Sequence, residues 1–298
     1  MTQASIASEV EFLSLGQGTG IQVRGLSLKE VPSAGLVDLL RIELAKEGVL
    51  LFRDQEDVSE EEQIAFTAAF GSTQGHPLPG VGGFDPVENA HPHTFYLTHG
   101  IEGYNPQDAA ANERKRNEER AENKHDKGGI GEGELGWHTD LQYMPEPQVY
   151  SLLYGIEVPE GGGETEWCNM SLAYDGLEEA TKERIAGLKA IHWYSRRIPP
   201  VLHPVVRLHP ITRAKTLYVS PGLSRLIDGW QDDDGKALIQ ELAEHATQPR
   251  FCYLHEWRRG DALMWDNRCT MHRRRSFDTS QTRVVRRTQT EGEAVIGG

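Results

Sequence analysis

The chain has 298 residues, a net charge of −14 at neutral pH, 38% hydrophobic residues and 26% charged ones. That length suffices for one large domain with a buried core. The acidic balance argues against a protein built to grip nucleic acid or an anionic membrane. Six Trp, nine Tyr and eight Phe spread along the chain exclude disorder, collagen or coiled coil as its main character. Cys168, Cys252 and Cys269 include no CxxC pair, so they offer neither a disulfide framework nor a thiolate zinc site. The N-terminus lacks the basic and apolar regions of a signal peptide, and the apolar runs are strand-length rather than membrane-spanning. A cytoplasmic location in a reducing compartment is the expectation.

In chain order, an apolar stripe of Leu36, Leu39, Leu40 and Ile42 predicts a helix from about Ser33 to Lys46. It leads into a buried strand, Gly48–Phe52. Ser59, followed by Glu60–Glu62, marks the N-cap of a second helix that ends before Gly71. Further helices are expected over Leu172–Leu188 and Lys236–Ala246. Short strands are expected at Thr94–Thr98, Tyr150–Val158, Thr216–Ser220, Phe251–Leu254, Ala262–Trp265 and Arg283–Thr288. Short strands separated by Gly- and Pro-rich turns point to a sandwich or barrel with flanking helices. No internal repeat or linker divides the chain, which reads as a single domain over residues 1–298. One stretch differs: from Asn105 to Glu134 the sequence is highly charged and nearly free of large apolar residues. Such a run reads as a solvated loop or as a mobile lid over a site, and its position just before the motif below favours the lid.

That motif is Gly136-Trp-His-Thr-Asp140. In an extended strand, residues two apart project from one face, so His138 and Asp140 can offer an imidazole and a carboxylate to one ion. A third ligand is available in His272, at the end of Met264-Trp-Asp-Asn-Arg-Cys-Thr-Met-His272. Two histidines and one carboxylate on one face of a ferrous ion leave its other positions open for a co-substrate and oxygen. An HxD pair alone reads more readily as a hydrogen-bonded core pair than as a metal site; the accompanying segments decide.

Four segments occur in a familiar order: Phe70-Gly-Ser-Thr-Gln-Gly-His-Pro77, Gly136-Trp-His-Thr-Asp140, Gly162-Gly-Glu-Thr-Glu-Trp167, and Trp265-Asp-Asn-Arg268 leading to His272. Thr165 lies 27 residues beyond His138, and Arg283 and Arg287 lie 11 and 15 beyond His272. From about Gly20 to Thr290 the chain resembles the taurine dioxygenase / TfdA family of Fe(II)- and 2-oxoglutarate-dependent oxygenases, with the charged insertion at about 105–135 as the main departure. The resemblance implies a mainly β fold with flanking helices (α+β) around a double-stranded β-helix (jelly roll, cupin-like) core. It implies that His138, Asp140 and His272 bind iron. Arg283 would pair with the distal carboxylate of 2-oxoglutarate, helped by the hydroxyl of Thr165. Arg287 and His76 would hold the anionic head of the substrate. The implied reaction consumes 2-oxoglutarate and O2, releases succinate and CO2, and oxidises a C–H bond. Hydroxylation is the default, since related halogenases carry a small residue where this chain has Asp140, and desaturation or epoxidation starts from the same oxidant.

The residue types suit these roles. A guanidinium holds a carboxylate through two parallel charge-assisted hydrogen bonds, which Lys cannot reproduce. On a strand, Arg283 and Arg287 share a face about 13 Å apart, at about 3.3 Å per residue, while Arg286 points the other way. The Arg273–Arg275 triplet is expected to face solvent or the acidic insertion. His91, His93, His203 and His209 are expected in surface or core hydrogen bonds. The expected ligand is a small carboxylate, sulfonate or sulfate ester, without nucleic acid or membrane partners, and self-association is left open. The competing class is a non-catalytic cupin-like protein that binds a small anion. A nucleic-acid-acting relative using the arginine cluster is disfavoured by the net charge.

Overall fold

The computed structural model describes residues 10–16, 19–76, 90–99, 134–196 and 198–298. The expected lid over 105–133 lies outside the described residues. The N-terminal half contributes β1 (Glu11–Ser14), β2 (Ile21–Arg24), α1 (Ala34–Glu47), β3 (Val49–Phe52), α2 (Glu60–Ala68), β4 (Thr94–His99) and β5 (Leu135–His138). There follow β6 (Tyr150–Glu157), β7 (Thr165–Asn169), α3 (Met170–Asp175), α4 (Glu179–Ile185), β8 (Lys189–His192), β9 (Val201–Pro204), β10 (Val206–Leu208), β11 (Lys215–Leu217) and β12 (Ser224–Ile227). The chain ends with α5 (Asp232–Ala246), β13 (Cys252–His255), β14 (Ala262–Asp266), β15 (Thr270–Arg274) and β16 (Arg283–Gln289).

The helix starts follow local chemistry. Ser33 caps α1 by accepting from the Leu36 amide, and Gly48, at φ 78°, closes its other end by donating to Leu44 O. Ser59 and Glu62 form a complete capping box on α2. The helix expected over Leu172–Leu188 is instead two, α3 and α4. Gly176 caps the end of the first, packed so closely on the Phe251 ring that a Cβ there would lie 2.6 Å from it and only glycine fits. Helix α5 begins one turn earlier than the apolar pattern indicates, because Asp232, Asp233 and Asp234 favour the positive end of the helix dipole.

Among the described residues, the mainly β architecture rests on two sheets. Seven strands run in the order β1-β2-β3-β14-β6-β16-β4, and four in the order β13-β7-β15-β5. Their inner faces meet in a core of Val49, Leu51, Leu153, Trp167, Leu263, Trp265 and Val285, in which Trp167 from the smaller sheet and Trp265 from the larger lie 5.6 Å apart. Helices α1 and α2 cover the outer face of the large sheet through Leu36, Leu40, Leu44 and Phe66. A second core packs α3, α4 and α5 against the small sheet. No helix among the described residues is long and apolar enough to cross a membrane. All three cysteines are buried and free.

A small sheet, β12-β8-β9, carries His192, fully buried beside His203. Burial, then the proximity of His203, pushes the His192 pKa down to about 3. The unfolded chain, with an ordinary histidine pKa of about 6.5, takes up that proton first, so His192 destabilises the fold as pH falls below about 6.5. Thermal unfolding should therefore show a Tm that declines from pH 7 to pH 5, as this residue removes up to about 1.4 kcal/mol of unfolding free energy per pH unit. His192→Gln should make the decline shallower; a slope identical to that of the wild type would contradict this origin.

Candidate active site

The site lies where the two sheets face each other, and each functional side chain arrives by a local rule. Strands β5 and β15 pair antiparallel with His138 directly opposite His272, which sets their ring centroids 4.2 Å apart. Strand β5 ends at His138, so Asp140 joins them from a turn rather than by the strand alternation expected from the sequence. That turn is tied down by the Thr139 hydroxyl donating to Thr270 O at 2.9 Å and by the Asp140 amide donating to Asn267 Oδ1 at 3.3 Å. Leu141 follows with φ 50°, a left-handed conformation that costs a side-chain-bearing residue free energy and persists only when surrounding contacts enforce it.

The result is three potential ligand atoms within 4.8 Å of one another. Asp140 Oδ1 lies 3.7 Å from His138 Nε2 and 3.8 Å from His272 Nε2. Asp140 Oδ2 is occupied elsewhere, accepting from Arg287 Nη2 at 2.8 Å, Ser151 Oγ at 3.1 Å and Gln148 Nε2 at 3.3 Å. His138 places Nδ1 2.8 Å from Gly136 O, which makes that nitrogen the protonated one and leaves the Nε2 lone pair for a metal. Burial lowers the His138 pKa against the opposing pull of Asp140, and burial together with His138 takes His272 down to about 3. Burial pushes the Asp140 carboxyl up, but Arg287, His272 and His138 outweigh it and hold the group well below the usual carboxylate range. Two neutral imidazoles and an ionised carboxylate are the donor set that an Fe(II) facial site requires. Trp265 and Trp167 pack against the His272 ring, at 5.0 and 6.2 Å between centroids, and close the inner side of the site to water.

A cavity of about 310 Å³ opens from this triad and is lined by every residue singled out from the sequence: His76, His138, Asp140, Thr165, His272, Arg283 and Arg287. Thr165, on β7, accepts a hydrogen bond from Trp257 Nε1 at 2.9 Å, which leaves its own proton to donate. Arg283, on β16, is 2% exposed, and its Nε and Nη1 find no partner among the described residues. Burial, then the charge of Arg274, pulls its pKa down to about 9, so the guanidinium is a cation held in a place that calls for an anion. Arg287 is committed at one end to Asp140 and to Ser151 Oγ, at 3.1 Å, while its buried Nε is unpartnered among the described residues. His76 packs edge-on against Phe95. Arg286 faces away, donating to Gln63 Oε1 and to the carbonyls of Val58 and Ser59.

The arginine triplet, expected as a whole to face solvent or the acidic insertion, divides instead. Arg273 and Arg275 pair with Glu166, as surface residues do, but Arg274 is 5% exposed and lines the cavity. The signal was available in the spacing, because Arg274 lies two residues from His272 on a strand. Ser151, Gln148 and Asn267 are further site residues that the sequence did not single out. Asn267 accepts from Asp140 N and Trp265 Nε1 and donates to Ser151 Oγ at 3.0 Å, joining Asp140 to the sheet. Asp266 and Arg268 in the same motif act structurally: their buried ion pair of 2.6 Å, shared with His209 Nε2 at 3.0 Å, holds the turn that delivers His272. His209, Asp266 and Cys269 also cluster within 4.8 Å, but Arg268 occupies the carboxylate and burial keeps the thiol protonated.

Comparison with known proteins identifies the family. The family described as taurine catabolism dioxygenase TauD, TfdA family, matches residues 11–289. An alpha-ketoglutarate-dependent 2,4-dichlorophenoxyacetate dioxygenase of Burkholderia sp. strain RASC is 35% identical over 91% of each chain. Among solved structures, a taurine dioxygenase from Burkholderia xenovorans superposes with a TM-score of 0.79 at 29% identity, covering 97% of this chain and 91% of that one. A structure of AAD-2 in complex with Mn(II) and N-oxalylglycine superposes with a TM-score of 0.71 at 30% identity, covering 95% of this chain and 97% of the other. The chain belongs to the TauD/TfdA family and is an Fe(II)- and 2-oxoglutarate-dependent dioxygenase.

Proposed function

We propose that His138, Asp140 and His272 hold the iron, that Arg283 and Thr165 hold the distal carboxylate of 2-oxoglutarate, and that Arg287 with His76 receives the anionic group of an otherwise apolar organic acid. The observation that carries this reading is the buried Arg283, unpartnered at Nε and Nη1 among the described residues, in the same 310 Å³ cavity as the triad. The two facing sheets form the core of a double-stranded β-helix within a single domain. The buried free thiols fit a cytoplasmic, reducing setting.

The substrate class follows from what lines the cavity. Among the described lining residues Asp140 is the only acid, and it is held by Arg287, so an ammonium group would enter without a counter-charge. The walls are Leu97, Leu135, Trp137, Leu141 and Leu223, together with Tyr143 and Tyr194, whose rings stack 4.9 Å apart. An anion attached to an aromatic or branched apolar body satisfies both features, and 2,4-dichlorophenoxyacetate, named for the Burkholderia relative, has that character. A zwitterionic aminosulfonate does not.

When bound, the iron with 2-oxoglutarate and O2 supplies an oxidant able to take hydrogen from a C–H bond. This chain's residues do the rest. Asp140 and the two histidines fix three positions, Arg283 and Thr165 orient the co-substrate, Arg287 sets the depth of the substrate, and the two tryptophans exclude water.

In a succinate-release assay across small anions, aryloxyalkanoic and arylalkanoic acids should support turnover while taurine does not; the reverse preference would refute the assignment. Arg287→Ala should raise the substrate KM by about 100-fold, the worth of a buried charged hydrogen-bonded pair, with the KM for 2-oxoglutarate unchanged at saturating iron. Equal loss of both would show that Arg283 and Arg287 do not divide the two anions. Ser151→Ala and Asn267→Ala should each weaken Fe(II) or Mn(II) binding by about 10- to 100-fold, measured by metal titration, with the fold intact by circular dichroism. Undiminished metal affinity would remove these residues from the support of Asp140.

A further inference from the structure

Strand β15 sends two side chains into the cavity. His272 and Arg274 are two residues apart and project from one face, whereas Arg273 and Arg275 face Glu166 on the other. Across the β15–β7 pairing, the register partner of Arg274 is Thr165, the residue whose hydroxyl proton is left to donate. Arg283 enters from β16, in the opposite sheet, near enough for the charge of Arg274 to lower its pKa. Two buried guanidinium groups and a hydroxyl donor thus border the same space, and the one carboxylate lining it among the described residues is bound to Arg287.

We propose that Arg274 is a second co-substrate residue, forming with Arg283 and Thr165 a two-arginine cradle for the distal carboxylate of 2-oxoglutarate. This rests on the assignment of Arg283 above. The chemistry favours sharing. A carboxylate offers two oxygens and about four lone-pair directions, more than one guanidinium and one hydroxyl fill. A carboxylate held by Arg283 and Thr165 would lie across the strand pairing from Arg274, in the space that both guanidinium groups border. A cradle of this kind binds a dicarboxylate strongly and gains nothing from a chelating ligand that lacks the distal group.

The test uses Mn(II)-loaded protein titrated calorimetrically with N-oxalylglycine, which carries a distal carboxylate, and with oxalate, which chelates without one. The proteins are wild type, Arg283→Met, Arg274→Met, Arg274→Lys and Arg273→Met. Arg274→Met should weaken N-oxalylglycine by about 10- to 100-fold and leave oxalate within about twofold, the range for losing one charged hydrogen-bonding partner. Arg274→Lys, which keeps the charge and loses the fork, should show a smaller loss confined to N-oxalylglycine, and it decides the matter should the Met variant fail to fold. Arg273→Met should change neither. N-oxalylglycine binding undiminished in both Arg274 variants, or equal loss of both ligands, would overturn the proposal. A wild type that binds N-oxalylglycine no better than oxalate, or an Arg283→Met protein that binds it as well as wild type does, would instead overturn the underlying assignment of Arg283.

Discussion

The carboxylate of Asp140 is the point on which the rest of the site turns. It is buried, comes from a turn rather than a strand, and would be costly to ionise in an apolar setting. Three donors on Oδ2, from Arg287, Ser151 and Gln148, keep it charged and fix its orientation, so that Oδ1 is the oxygen turned toward both histidines. The strained backbone at Leu141 is tolerated because Thr139 and Asn267 hold the turn from either side. The geometry of the triad is therefore set by the sheets: β5 and β15 align the histidines, and β6, through Ser151, anchors the acid.

Beyond the triad the cavity has an excess of positive charge. Arg274, Arg283 and Arg287 are all buried, and Asp140 is the one acid that faces them among the described lining residues. Arg283, with Nε and Nη1 unpartnered among the described residues, is the buried charge that costs most to hold there, several kcal/mol in the absence of a counter-charge. The cavity thus combines buried guanidinium groups with apolar walls from Leu97, Leu135 and Leu223. Stability and recognition are coupled here: the same desolvation that lowers the proton affinity of Arg283 strengthens its attraction for a carboxylate.

Much of this arrangement was legible in the sequence because the chemistry sits in short, spaced motifs. His138, Asp140 and His272 were recognisable by ligand type and order, and Arg283 and Arg287 by their even spacing on a predicted strand. The helix starts at Ser33 and Ser59 were readable because capping is local. What escaped depends on long-range contacts. Gly176, where the first helix ends, packs against Phe251, a residue distant in sequence that leaves no space for a side chain. Arg274 reads like its charged neighbours as long as β15 is unknown, since without strand alternation a run of three arginines looks uniformly exposed. Ser151 and Gln148 carry no signal of their own, because a serine or glutamine becomes part of a metal site only through what lies across the sheet.

The measurement that bears most directly on the iron site is an anaerobic titration of the protein with Fe(II) and 2-oxoglutarate, following the weak visible charge-transfer absorption of the chelated co-substrate, beside a His138→Ala control. A saturable band is predicted in the wild type and no band in the variant. A folded wild type without the band would mean that His138, Asp140 and His272 do not assemble an iron site able to take 2-oxoglutarate, and the assignment of the cavity would fall with it.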